Sequence, residues 1–150
     1  MYSRDHALLS VVVGVLGSLA FSLPVPWWAA VGYAVVVGVA IDVDHFVVAR
    51  LTTGEWTAAK RCLRNPRLVF VAQDEIFDAG DLYPLQRLLS HHVIGGALVG
   101  GLWLVSEPLA LFTALVLYAH VLSDLVWDNS LLEQYHREAA EQVTADDATR

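Results

Sequence analysis

The chain is poor in the residues that several common classes of protein depend on. It has one cysteine, Cys62, which excludes an intrachain disulfide and a cysteine-rich zinc site. It has one lysine, Lys60; the other eight of its nine Lys/Arg residues are arginines, and the formal net charge is -7. No dense basic patch has aromatics interleaved, so nothing reads as a nucleic-acid footprint and no nucleic-acid partner is expected. There is no Gly-x-Ser-x-Gly elbow and no glycine-rich phosphate loop. Ser90 and Ser123 adjoin histidines, but nothing else supports a serine nucleophile. The five prolines fall outside the apolar runs, at Pro24, Pro26, Pro66, Pro84 and Pro108, where they act as punctuation.

Apolar residues are abundant. The chain of 150 residues is 56% hydrophobic, with a mean hydropathy of +0.51. That hydrophobicity comes in blocks, which argues for membrane spans over a rich soluble core. Residues 7–23 form a nearly uninterrupted run that a helix would stretch over roughly 25 Å, enough to span with snorkelling ends. A signal peptide is the competing reading, with Arg4 ahead of the run and Ser18-Leu19-Ala20 as a mimic of a cleavage site. A second run starts a few residues later, so a helical hairpin is simpler. Pro24-Val25-Pro26 is its turn, and Trp27-Trp28 is an interfacial belt before a second span over 27–41, with small residues Gly32, Ala34 and Gly38 for close packing. A third span covers 93–105 and carries Gly95, Gly96, Gly100 and Gly101; a fourth covers 109–127. The predicted fold is all-α. An integral membrane bundle of four transmembrane helices fills residues 1–127, with a long polar insert over 47–90 between helices 2 and 3. Within the insert, 57–63 reads as a short helix and 68–72 as a short strand or an interfacial segment. Residues 128–150 read as a polar, acidic, partly disordered tail, amphipathic at first over 131–139.

Charge asymmetry fixes the expected orientation. The 47–90 insert holds six Lys/Arg residues, and the turns on the opposite side, around Pro24-Val25-Pro26 and Ser106-Glu107-Pro108, hold none. Cationic loops stay in the cytoplasm. The expectation is therefore a multi-pass plasma-membrane protein with both termini and the insert cytoplasmic. His6 then opens span one, the Asp42-Val43-Asp44-His45 stretch closes span two, His91-His92 opens span three, and His120 and Asp124 lie near the end of span four. The spans alternate in direction, so all these groups collect at one end of one bundle. Asp42 and His45 are three apart and His120 and Asp124 four apart, so each pair shares a helix face. Each residue alone has a plain explanation as a solvated helix end or a self-satisfied pair; scattered at random, they would not all fall at one end. Ionisable groups at membrane depth are costly and mark function. Carboxylate with imidazole is a ligand set for zinc, or for manganese or iron. His136 lies beyond the bundle and reads as a surface histidine.

In order and spacing these residues resemble a family of small membrane-bound metal-dependent hydrolases, the LexA-binding inner-membrane type. Its pattern is an early His in span one, Asp-x-Asp-His at the end of span two, an Arg followed by a His that opens span three, and His-x-x-x-Asp in span four. Here His6, Asp42-Val43-Asp44-His45, Arg87 with His91, and His120 with Asp124 match it. The resemblance covers the four spans, not the insert's interior or the tail. Two positions depart: Gln86 stands where the family often has a His, and His92 where it usually has a Ser. The resemblance implies a hydrolase with a divalent metal. The candidate ligands are His6, Asp42, His45, His91, His120 and Asp124, with His92 as a replacement. Asp44 is a bridging ligand or the general base, and Arg87 holds a phosphate or carboxylate. The site's depth points to the lipid bilayer as partner and to a lipid or lipid-linked ester or phosphoester as substrate. Two rival classes use the same residues. One is a divalent-metal or proton transporter; the other is a non-catalytic adaptor with a structural metal, whose 47–90 loop binds a soluble cytoplasmic partner.

Overall fold

The computed structural model describes residues 2–78 and 80–148, without the side chains of residues 70, 71 and 133–148. Among the described residues every regular element is helical. In chain order these are α1 (Ser3–Ala20), α2 (Trp27–Ala40), a 3₁₀ turn (Ile41–Val43), α3 (Asp44–Thr53), α4 (Thr57–Arg64), α5 (Leu68–Val71), a second 3₁₀ turn (Gln73–Glu75), α6 (Pro84–Trp103) and α7 (Glu107–Ala148). Two helical stretches, Trp27–Thr53 and Glu107–Leu132, are long and apolar enough to cross a membrane. The first joins α2 and α3 through the 3₁₀ turn, so the helix does not stop at the Asp-Val-Asp-His stretch. It ends one element later, where Gly54 takes a positive φ of 81° and returns its N–H to the Arg50 carbonyl.

Contacts between small residues set the helix register. A Cβ at Gly14 would meet Ala34, one at Gly17 would press into the Phe112 ring, and one at Gly38 would collide with the Ser10 hydroxyl. α1 and α2 therefore run antiparallel, their axes held close by absent side chains. Gly17 against Phe112, with His6 against Asp124, sets α7 antiparallel to α1. Gly95 against Leu117, with Arg87 against Asp128, sets α6 antiparallel to α7. Not every glycine serves packing. Gly32, Gly96, Gly100 and Gly101 face open space, because a helix turns a neighbour one or two residues away onto another face.

Burial is inverted relative to a water-soluble bundle. The buried interior holds His6, Ser10, Asp44, His91, Thr113, His120 and Asp124 beside apolar residues that range from alanines to Phe112. The outer faces carry many large apolar side chains: Leu8, Val12, Leu16 and Leu19 on α1, Leu89 and Val93 on α6, and Tyr118, Leu122 and Val126 on α7 are exposed. At the end of the bundle away from the ionisable groups, Ala30, Ala34, Phe112 and Val116 form a tight apolar core.

The 47–90 region is folded. The expected helix is present as α4, and residues 68–71 make a helical turn and not a strand. Ala58, Leu68 and Ile76 form a small core of their own, with Phe46, Cys62 and Phe77 packed on it. Two hydrogen bonds of 2.6 Å, from the Ser3 N–H to Gln73 Oε1 and from Gln73 Nε2 to Ser3 Oγ, fasten the segment to the start of α1. Outside the bundle, Arg61 and Asp78 pair at 2.8 Å, and the guanidinium's hydrogen bonds hold the Asp78 carboxyl below its usual range. Beyond Trp127, where the fourth span was expected to end, α7 continues through Ala148. The side chain of His136 lies outside the described residues.

Candidate metal centre

Five elements bring their ionisable groups to one point. α1 supplies His6 from its first turns, the 3₁₀ turn Asp42, the start of α3 Asp44 and His45, the second turn of α6 His91, and the middle of α7 His120 and Asp124. The 3₁₀ turn matters because its tighter winding changes the phase at which successive side chains emerge. Asp42 and His45 turn to the centre, with His45 Nε2 3.5 Å from Asp42 Oδ1. Asp44 turns to α6, where its Oδ2 lies 2.8 Å from His91 Nδ1.

Two groups of donor atoms result, and both include Asp42. One is His6, Asp42, His120 and Asp124; the other is Asp42, His45 and His91; within each, the atoms lie within 4.8 Å of one another. Asp42 Oδ1 is 3.4 Å from the Nε2 of both His91 and His120. Asp124 lies 3.2 Å from His6 and 3.5 Å from His120. Tetrahedral zinc with nitrogen at about 2.0–2.1 Å would set neighbouring donor atoms about 3.3–3.4 Å apart. The spacings lie around that value.

The hydrogen bonds behind the ligands fix which ring atom faces inward. His120 Nδ1 lies 2.8 Å from the Gly38 carbonyl oxygen. A carbonyl can only accept, so Nδ1 carries the proton and, in the neutral ring, Nε2 offers a lone pair to the centre. His91 is set the same way by the Asp44 carboxylate. This is the outer-shell arrangement that orients metal-binding imidazoles. His6 stacks on His120 with centroids 3.9 Å apart, and His45 on His91 at 5.1 Å. Within the protein, Asp42 Oδ1 and the Nε2 atoms of His45, His91 and His120 are buried with no hydrogen-bond partner. Buried polar atoms are rarely left so. His45 and His91 belong to one donor group and His120 to the other, with Asp42 in both, so a cation in each group would satisfy all four atoms, and the donor set fits divalent metal.

The structure separates the other expected residues from this point. His92 is exposed on α6, about 100° around the helix from His91, and its Nδ1 hydrogen-bonds the Leu88 carbonyl, so it does not join the cluster. Gln86 caps the start of α6, accepting from the Tyr83 N–H at 3.3 Å. Arg87 reaches the centre's edge: its guanidinium pairs with Asp128 and stands 3.8 Å from Asp124. Sequence reasoning did not single out Asp128. The signal was available, since Asp128 follows Asp124 by four on α7 as Arg87 precedes His91 by four on α6. The Gly38 carbonyl had no signal in the sequence, because a backbone acceptor has no residue type.

No family model, no curated protein and no solved structure matches the chain.

Proposed function

We propose that the protein is a metal-dependent hydrolase set in a membrane, with four helical spans and the His/Asp centre at their cytoplasmic end. The observation that carries this reading is the set of inward-facing, unpartnered Nε2 atoms whose opposite ring nitrogens on His91 and His120 are already committed to Asp44 and Gly38. The exposed leucines and valines on α1, α6 and α7 support a hydrocarbon surrounding for the spans that charged or polar first turns make less apolar. The six cations of the 47–90 region support the orientation.

A divalent ion supplies Lewis acidity and a water made acidic, with a pKa near ~7, when bound in such a site. The chain's own residues do the rest. His6, Asp42, His120 and Asp124 surround one position, and Asp42, His45 and His91 a second beside it. Asp44 holds the His91 tautomer, which makes it a positioning residue at least as much as a base. Arg87, held by Asp128, faces the cavity beside Asp42 and His45 and offers a cation to an anionic substrate. Zinc is the first choice of metal on this donor set, with manganese or iron next.

A transport role is less favoured, because beyond the cluster Ala30, Ala34, Phe112 and Val116 form an apolar core. The test is hydrolysis of detergent-dispersed lipid esters and phosphoesters by the purified chain supplied with zinc or manganese. His91→Ala is expected to lose turnover and metal together, and His92→Ala neither. Equal loss in both variants, or turnover indifferent to chelator, would overturn the reading.

A further inference from the structure

The metal centre opens on one side into a cavity of about 610 Å³. Asp42, His45 and Arg87 stand at its polar end, and Arg4 lies on its rim. Most of the rest of its wall is apolar, with Val36, Val39 and Val43 from the α2 side and Ile76, Phe77 and Leu82 from the folded insert; Ser3 and Gln73, hydrogen-bonded to each other, also line it. From Val35 to Asp42 the α2 wall climbs about 10 Å along the helix axis. Val36 and Val43 are more than half exposed, so the flank is open sideways, towards the hydrocarbon that surrounds the spans in the function proposed above. This shape is a slot with one charged end, one apolar length and one open side.

We infer that this slot is a subsite for one acyl chain of a phosphate-bearing lipid, whose headgroup stands at the Asp42/His45 end beside Arg87 and Arg4. The inference rests on the hydrolase reading only for the word substrate; the slot itself is a property of α2 and the insert. Its volume lies in the range of sites that hold a small ligand. Along its length the wall is mainly apolar, and the polar pair there, Ser3 and Gln73, is hydrogen-bonded to itself, so an acyl chain meets a surface much like the hydrocarbon it comes from. Arg87 pairs with Asp128 and Arg4 with Asp5, and the N–H donors left on the two guanidiniums suit a phosphate and not a cationic head. The open flank lets a chain slide in from the bilayer without leaving hydrocarbon. The insert is therefore part of the site: Ile76 and Phe77 form the wall that α2 lacks, and Phe77 also packs edge-on against His45 with ring centroids 6.2 Å apart.

The experiment is photolabelling of the full-length, detergent-solubilised, zinc-supplied protein. The label is a lysophosphatidate analogue with a diazirine at the end of its single acyl chain. Expected labelling falls on 35–43 and 69–82, and drops about tenfold in Val39→Trp, which fills the slot, and in Val36→Trp, which blocks its open flank without entering the packed interior. Val12→Trp, on the outer face of α1, labels as the unaltered protein does. The same analogue with a hydroxyl in place of the phosphate labels the slot at least tenfold less. Labelling spread over the outer faces of α1 and α7, or undiminished in both slot variants, overturns the subsite; equal labelling by the neutral analogue overturns the phosphate specificity. Labelling is read without turnover. A protein that hydrolyses nothing but labels as expected keeps the slot and loses the hydrolase, and one that hydrolyses short soluble esters without labelling loses only the slot.

Discussion

His120 and His91 present Nε2 to the centre because something else holds Nδ1, and the two holders differ. The Gly38 carbonyl belongs to the backbone and is beyond substitution. Asp44 is a side chain, so its role can be taken apart. If it acts by orienting His91, Asp44→Ala should weaken metal affinity by about 10–100-fold, the usual effect of losing such a partner. Asp44→Asn keeps an oxygen that can accept from His91 Nδ1 and should retain most of the metal. If Asp44 is instead the general base, Asp44→Asn keeps metal and loses about 10²–10⁴-fold in turnover. Metal titration of the three proteins, followed by turnover on any substrate found, separates these outcomes. Metal loss in Asp44→Asn as deep as in Asp44→Ala would make Asp44 a ligand in its own right.

At the scale of elements, the helices approach each other through positions that have no side chain. Gly17 faces the Phe112 ring, and an added Cβ would lie 2.5 Å from a ring carbon. Gly17→Ala should therefore cost about 1–3 kcal/mol through overpacking, read as a lower melting temperature in detergent. Gly96→Ala meets nothing within 4 Å and should leave the melting temperature the same or slightly higher, since alanine favours helix. A fall in Gly96→Ala as large as in Gly17→Ala would mean that the packing register described for α1 and α7 is wrong. These two glycines also mark how far the sequence could be read. The apolar runs and prolines gave the starts of α1, α2 and α7 to within a few residues, but α6 begins well ahead of the expected 93, and the helices of spans two and four run on far past Ile41 and Trp127. The spacings of Asp42 to His45 and His120 to Asp124 gave the shared faces. Which glycines pack depends on the rotation of each helix against its neighbours, and a run such as Gly95-Gly96 is silent on that. The 3₁₀ turn was equally hidden, because Ile41-Asp42-Val43 has nothing to distinguish it from ordinary helix. Around that turn Asp42 and Asp44 reach the two different ring nitrogens of His91. His92 looked equivalent to His91 only because adjacency in sequence conceals the 100° between them on the helix.

For the whole molecule, the insert and the His/Asp cluster form one arrangement. The insert carries most of the cations, walls the slot beside His45 and is tied to α1 through Gln73. Its orientation can be checked at Cys62, the single thiol, which is half-buried in the insert's small core. Burial pushes that thiol's pKa up, so less of it is thiolate at neutral pH, and its labelling should quicken as pH rises through and above the ordinary thiol range. A membrane-impermeant maleimide should label it in inverted vesicles and not in intact cells; labelling from outside would place the insert and the centre on the other face. The central claim is that one buried His/Asp centre holds metal, and Asp42 is the residue common to both donor groups. The direct measurement is the metal content of the purified protein by mass spectrometry, beside Asp42→Ala shown to be equally helical by circular dichroism. Stoichiometric zinc, manganese or iron in the first and almost none in the second is the predicted result. A metal-free protein from metal-replete medium, or metal retained in Asp42→Ala, would contradict it.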